Sequence, residues 1–261
     1  MAESKKHNVL TRIVTALILA PLTIGLLYMG FPYATLLLLF VGALLAWEWS
    51  KMVPNGNETT CALTYCFAMA TAVMLNSFYG IFLSMLCGAL FLFWKTRNEK
   101  HCFLLVLGVP YIAIGIGSLM WIYQLVDFIG VLWFLILVWS VDIGGYVVGS
   151  NLHGPKLAPK ISPNKTWSGL FGGMLFAAAA CGFYAYELNW VRYENYALIA
   201  MALAVAEQIG DLVESMIKRH LGLKDSSNLI PGHGGIFDRV DGLIFTAPIL
   251  YLLLLYFAEL F

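Results

Sequence analysis

Charge is scarce in this chain. Its 261 residues carry 15 Lys or Arg and 15 Asp or Glu, 11% in all, where a soluble domain carries about 25%. So few charges cannot cover a water-facing surface, which excludes an ordinary soluble globular domain. The formal net charge is zero, so nothing in the balance points to nucleic acid, and no nucleic-acid partner is expected. Cysteines are few and scattered: Cys61, Cys66, Cys87, Cys102 and Cys181 form no Cys-x-x-Cys pair. They read as small apolar packing residues, with no zinc site and no disulfide framework. The absence of a Walker A sequence argues against a P-loop nucleotidase. Internal repeats and low-complexity linkers are also lacking.

What the chain has is apolar length. It is 61% hydrophobic, with a mean hydropathy of +0.81. A bilayer-spanning helix needs about 20 mostly apolar residues. Nine segments answer that description, at roughly 11–29, 33–51, 61–77, 79–95, 102–122, 127–148, 168–187, 195–217 and 242–260. The first follows "MAESKKHNVLTR" and is followed by many more apolar segments, so it reads as an uncleaved membrane helix rather than a secretory signal. The pair 61–77 and 79–95 is short and closely joined, and one broken hairpin describes it as well as two spans do.

Charge placement orients these segments. With the N-terminus cytoplasmic, every Lys and Arg except Arg192 falls on the cytoplasmic side, as the positive-inside rule requires. The expected fold class is therefore an all-α polytopic integral membrane protein of about nine transmembrane helices. Residues 1–100 would hold about four N-terminal helices, and 101–261 a catalytic transmembrane region. Trp47, Trp49, Trp94, Trp121, Trp167 and Trp190 stand near predicted helix ends, which fits an aromatic belt; ordinary lipid contact explains them equally.

Two cytoplasmic loops are long and polar: "GSNLHGPKLAPKISPNKTW" at 149–167 and "KRHLGLKDSSNLIPGHGGIFDRVD" at 218–241. Loops of this kind are where binding and catalytic residues concentrate. The helices beside them hold acids that are expensive in a membrane and are functional candidates by default. Glu207, Asp211 and Glu214 are spaced four and three apart, so they share one helical face with Ser215 and Lys218 nearby. An interhelical hydrogen-bond seam accounts for the same stripe. Asp142 lies about two turns before the end of its predicted span, next to Gly144 and Gly145, which permit close backbone or ligand approach. Asp238 and Asp241 stand where the last span begins. Helix capping alone explains one such acid; two acids, Arg239 and a preceding His-Gly-Gly ask for more.

Oxygen ligands converging from two segments are what Mg²⁺ requires, and Asp211 with Asp238 and Asp241 meets that description. Around them stand Lys156, Lys160, Lys165, Lys218, Arg219, Lys224 and Arg239. Positive-inside bias and anionic lipid headgroups explain basic residues at such a face. Their interleaving with Ser162, Thr166 and Ser168 also suits phosphate binding. Carboxylates fit for a metal beside many cations are the parts of phosphoryl or nucleotidyl transfer. His233, between glycines, is read as a hydrogen-bond donor to phosphate; a metal ligand, a general base and a loop residue without a role stay open beside that.

The segment from Ser215 to Asp241, "SMIKRHLGLKDSSNLIPGHGGIFDRVD", resembles the signature of phosphatidate cytidylyltransferases, also called CDP-diacylglycerol synthases. The Ser-x-x-Lys-Arg start, the pair Lys224 and Asp225, the Pro-x-His-Gly-Gly block and the closing Asp-Arg-x-Asp all stand in place. "KLAPKISPNKTWSG" and "SVDIGGY" resemble other family segments, except that many members have glutamate at the position of Ser168. The resemblance is strongest over about residues 139–245. It implies transfer of a cytidylyl group from CTP to phosphatidate, giving CDP-diacylglycerol and pyrophosphate for phospholipid biosynthesis. It also implies Mg²⁺, a second cation (K⁺) at the same site, and a homodimer. Asp211, Asp238 and Asp241 would be metal ligands, with Ser215 beside them. The expected setting is a bacterial inner (plasma) membrane, among membrane lipids, with the site at the cytoplasmic face. Two rival readings stand beside this one: a CTP-dependent lipid-alcohol kinase, and an ion-coupled transporter using Glu207, Asp211 and Asp142 as its polar path.

Overall fold

Apolar runs of 17 residues and more leave the backbone no water to bond with, so they close their hydrogen bonds internally as helices. The computed structural model describes residues 15, 17–75, 78–230 and 234–261. His233, the cations Lys5, Lys6 and Arg12, and the start of the first predicted span lie outside the described residues. The helices are α1 (Leu17–Tyr28), α2 (Tyr33–Met52), α3 (Glu58–Met74), α4 (Phe78–Thr96), α5 (Cys102–Leu152), α6 (Trp167–Glu187), α7 (Tyr193–His220) and α8 (Phe237–Tyr256). A short 3₁₀ turn, Ala258–Leu260, closes the chain. Among the described residues six helices, α2 and α4 to α8, are long and apolar enough to cross a bilayer by length and composition. Phe40, Leu83, Phe93 and Leu175 are each more than half exposed; helices apolar on their outer faces belong in lipid.

α5 extends over 51 residues but leaves helical geometry at Asp127, where φ is 53° and ψ −167°. The break falls where the sequence separates 102–122 from 127–148. The pair expected at 61–77 and 79–95 is two helices, α3 of 17 residues and α4 of 19. Thr71 Oγ1 and Ser84 Oγ join them at 2.6 Å.

The fold is not purely helical. Lys156–Ala158 (β1) and Ser162–Thr166 (β2) pair antiparallel inside the segment expected to be a polar loop. Pro155, Pro159 and Pro163 forbid a helix there, and the turn is closed by Ile161 N–H donating to Ala158 O at 3.1 Å. Both long loops are also shorter than expected, because α5 runs to Leu152, α7 to His220, and α8 starts at Phe237.

The chain divides into two compact units. The first comprises the described residues of Met1–Met120 and Leu221–Val240; the second comprises Trp121–His220 and Asp241–Phe261. In the first, α2 packs on α3 and α3 on α4. Its core centres on Trp49, which is fully buried, donates from Nε1 to Leu104 O at 3.1 Å, stacks on Tyr111 and meets the Phe237 ring at a tilt. Trp49 is thus a core residue and not part of an aromatic belt. Tyr65, also fully buried, donates to Leu105 O at 2.7 Å.

In the second unit, α6 packs against α7, and the later part of α5 lies against α6 backbone to backbone. A β-carbon at Gly144 would stand 2.7 Å from Gly172 O, and one at Gly169 3.0 Å from Gly145 O. The glycines of "VDIGGYVVG" therefore serve helix packing. At the far end of this unit, Arg192 Nη1 donates to Glu259 O at 2.7 Å and Asn195 to Leu260 O at 3.0 Å.

Candidate active site

α7 carries the polar stripe read from the sequence, and the stripe faces protein: Glu207, Glu214, Ser215 and Lys218 are all buried. α8 comes alongside through two glycines. A β-carbon at Gly210 would stand 2.6 Å from Phe245 Cβ and 3.2 Å from Asp241 O. One at Gly242 would stand 2.5 Å from Glu207 Oε1. Only glycine allows this approach, and it delivers Asp241 to the acidic face of α7. Asp211, Glu214 and Asp241 then each offer a carboxylate oxygen, all within 4.8 Å of one another.

The β-hairpin supplies the counter-charge. Lys165 on β2 makes an ion pair with Asp211. Its backbone is held by the next residue, because Thr166 caps α6, its Oγ1 accepting from Gly169 N–H at 3.1 Å. Lys218 lies 2.5 Å from Glu214 on the same helix, and Ser215 Oγ donates to Asp211 Oδ1 at 3.3 Å. Arg219 Nε donates to Ile161 O at 3.3 Å, tying the end of α7 to the hairpin turn. The charged neighbours of Glu207 are Asp142, Lys165, Asp211 and Asp241. Of the remaining residues singled out in the sequence, Lys160 is exposed and Ser162 half-buried on the hairpin.

The cluster thus sets five carboxylates, Asp142, Glu207, Asp211, Glu214 and Asp241, around Lys165 and Lys218. Gathered acids in excess of cations are costly to desolvate without further positive charge. The donors fit a hard divalent cation. Carboxylates and the Ser215 hydroxyl are all oxygen, and among the described residues no thiolate or imidazole takes part. Glu207 Oε2 is buried and has no hydrogen-bond partner among the described residues, leaving a further acceptor beside the trio.

Asp238 belongs to the first unit, and there its carboxylate is occupied. It accepts from Ser226 N–H at 3.0 Å, Ser226 Oγ at 3.1 Å and Gly235 N–H at 2.8 Å. Lys224, Asp225 and Arg239 are exposed in the same unit. Two buried acids were given no role in the sequence reading. Glu214 stands in the expected stripe but was given no ligand role. Glu48 was passed over, although an acid in the apolar run "LLAWEWSKM" meets the same rule that flags Asp211.

A helical protein that gathers carboxylates and lysines in this way has the parts for metal-assisted phosphoryl or nucleotidyl transfer. The sequence model described as the cytidylyltransferase family matches residues 10–257. A relative named phosphatidate cytidylyltransferase, from Brucella suis biovar 1 (strain 1330), is 36% identical over 265 residues, covering 97% of this chain and 95% of its own. One of the same name from Pseudomonas aeruginosa is 34% identical over 273 residues, covering 93% and 96%. Another from Bacillus subtilis (strain 168) is 45% identical over 124 residues, covering 47% and 46%. The chain belongs to the cytidylyltransferase family.

Proposed function

We propose that this protein transfers a cytidylyl group from CTP to phosphatidate, releasing pyrophosphate and leaving CDP-diacylglycerol in the bilayer for phospholipid synthesis. The observation that carries the reading is the carboxylate trio Asp211, Glu214 and Asp241, with oxygens within 4.8 Å, beside the ion pair from Lys165. Asp211, Asp241 and Glu214 would hold Mg²⁺, with Asp238 arranging the start of α8 and K⁺ as a second cation nearby. When bound, Mg²⁺ would offset charge on the phosphates and on departing pyrophosphate.

Attacker and target are both anionic, so this chain's own cations lower their repulsion. Lys165 and Lys218 are tied to the acid cluster and meet the reacting phosphates there. Lys160, Arg219, Lys224 and Arg239, on exposed segments, draw CTP and the lipid headgroup from solvent and membrane surface. Ser162, Ser215 and His233 donate hydrogen bonds to phosphate oxygens, Thr166 fixes the hairpin that presents Lys165, and Asp225 orients Lys224. Asp142 and Glu207 complete the negative field that favours cations. Phosphatidate is nucleophilic at neutral pH, so no strong general base is needed.

The same reading gives nine transmembrane segments, counting α5 as two, with the N-terminus and the site on the cytoplasmic face of a bacterial inner membrane, and a homodimer. It treats 1–100 as an N-terminal helical region and 101–261 as the catalytic region. The purified protein is tested with radiolabelled CTP. Label entering lipid only with phosphatidate and Mg²⁺ present, with release of pyrophosphate, supports the reading. Label recovered as CDP beside a phosphorylated lipid alcohol overturns it in favour of a kinase.

A further inference from the structure

Glu48 accepts four hydrogen bonds, and the reaction itself does not call for it. It lies on α2 and is fully buried. Its Oε1 accepts from Ser227 Oγ at 2.5 Å and Ile236 N–H at 2.9 Å. Its Oε2 accepts from Phe237 N–H at 2.7 Å and Ser226 Oγ at 3.4 Å. The donors at 236 and 237 are the first N–H groups of α8, which have no partner inside their own helix. A carboxylate there also meets the positive end of the helix dipole. α8 is therefore capped by a side chain from a helix nearly 190 residues upstream, as the separation of 189 between Glu48 and Phe237 records.

The surroundings are shaped to admit this acid. A β-carbon at Gly235 would collide with Ser226 Oγ and stand 2.7 Å from Glu48 Oε1. Ser226 Oγ lies within bonding distance of both Glu48 and Asp238, so the two carboxylates share one hydroxyl and fasten one segment. Beyond it, α8 continues directly to Asp238, Arg239 and Asp241.

We propose that Glu48 is a positioning residue for cytidylyl transfer. Without touching substrate, it sets the start and rotation of α8, and through them the direction of the acids that α8 carries. This rests on the functional reading above. It requires that kcat fall on loss of the cap while substrate affinity is kept, since a misplaced reacting group costs about 10²-fold in rate.

The test compares Glu48→Gln, Glu48→Asp, Ser227→Ala and Tyr65→Phe with the parent protein in detergent–lipid micelles. Glutamine keeps the size but turns an amide N–H₂ toward one backbone N–H; aspartate keeps two acceptors and loses length. The expected order of kcat is Glu, then Asp, then Gln, with E48Q down about 10²-fold. KM for CTP and phosphatidate should stay within about twofold. Hydrogen exchange of the amides at 234–240 should rise about tenfold in E48Q. Y65F loses a buried hydrogen bond of the same unit and should melt earlier with kcat intact. S227A, a milder lesion, should lose about fivefold in kcat and decides the matter if E48Q does not fold. Parental kcat in E48Q or in S227A, or Gln outperforming Asp, overturns the proposal. If the parent protein makes no CDP-lipid, the functional reading falls instead. The exchange data then decide alone whether Glu48 holds α8, and unchanged exchange at 234–240 rejects it.

Discussion

Both units bury acids, and they treat them differently. In the first, Glu48 and Asp238 have their lone pairs filled by N–H and O–H donors of the chain itself. In the second, Asp211, Glu214 and Asp241 are turned toward one another, with Glu207 behind them and two lysines for balance. A carboxylate whose acceptor capacity is met by backbone donors is a fastener. Carboxylates crowded together repel unless something positive joins them. The contrast separates acids bonded by the chain's own donors from the gathered acids proposed above to take a cation, a distinction residue type alone does not make.

Substitutions can break that contrast. The largest effect is expected at the gathered acids. Asp211→Asn or Asp241→Asn should cut kcat by about 10³-fold while the protein still folds and inserts; full activity in either purified variant would remove the metal assignment. Glu214→Gln sharpens the point, because it tests the member that the family signature does not name. It should lose about 10²-fold and need more Mg²⁺ for half-maximal rate; an unaltered Mg²⁺ titration excludes Glu214 as a ligand. Lys165→Ala should raise KM for one anionic substrate by about tenfold, roughly the loss of one charge-assisted hydrogen bond. Steady-state kinetics with each substrate varied would show this, and unchanged values for both take Lys165 out of the site. The smallest effect on turnover is expected at a fastener's partner. Ser226→Ala should lower the thermal midpoint by about 5 °C and cost about fivefold in kcat, as Ser227→Ala should. A large kcat loss without a shift in melting would erase the difference between the two units.

The parts legible in the sequence were those written locally. Apolar runs placed the helices within a few residues, since length and hydropathy decide what a bilayer accepts. The four-and-three spacing of Glu207, Asp211 and Glu214 fixed a shared face through helix geometry alone. The approach of Asp241 to that face was expected from the chemistry of the pair. The glycines that permit it, Gly210 and Gly242, were not singled out, because their neighbours lie on another helix. The hairpin that presents Lys165 was hidden for a different reason: three prolines mark what a segment cannot be, without saying what it pairs with. Glu48 and Trp49 were the clearest losses. Their partners lie 189 and 55 residues away, and nothing in "AWEWSK" distinguishes a cap for a remote helix from an interfacial residue. For Asp238 the place at the head of α8 was legible, and its hydrogen bonds from Ser226 and Gly235 were not.

The crossing of α7 and α8 at paired glycines has a consequence for ion choice. Gly210 lets the α8 backbone at Asp241 come close to α7, so the spacing of the helices helps set the gap between Asp211, Glu214 and Asp241. For the proposed cation, such a gap would act as a gauge of ionic radius, sorting cations by size before any nucleotide arrives. Adding one methyl group at Gly210 opens the gauge, so the ratio of Mn²⁺- to Mg²⁺-supported rates should rise in Gly210→Ala. A constant ratio would mean that the acids, and not the spacing of the helices, choose the ion.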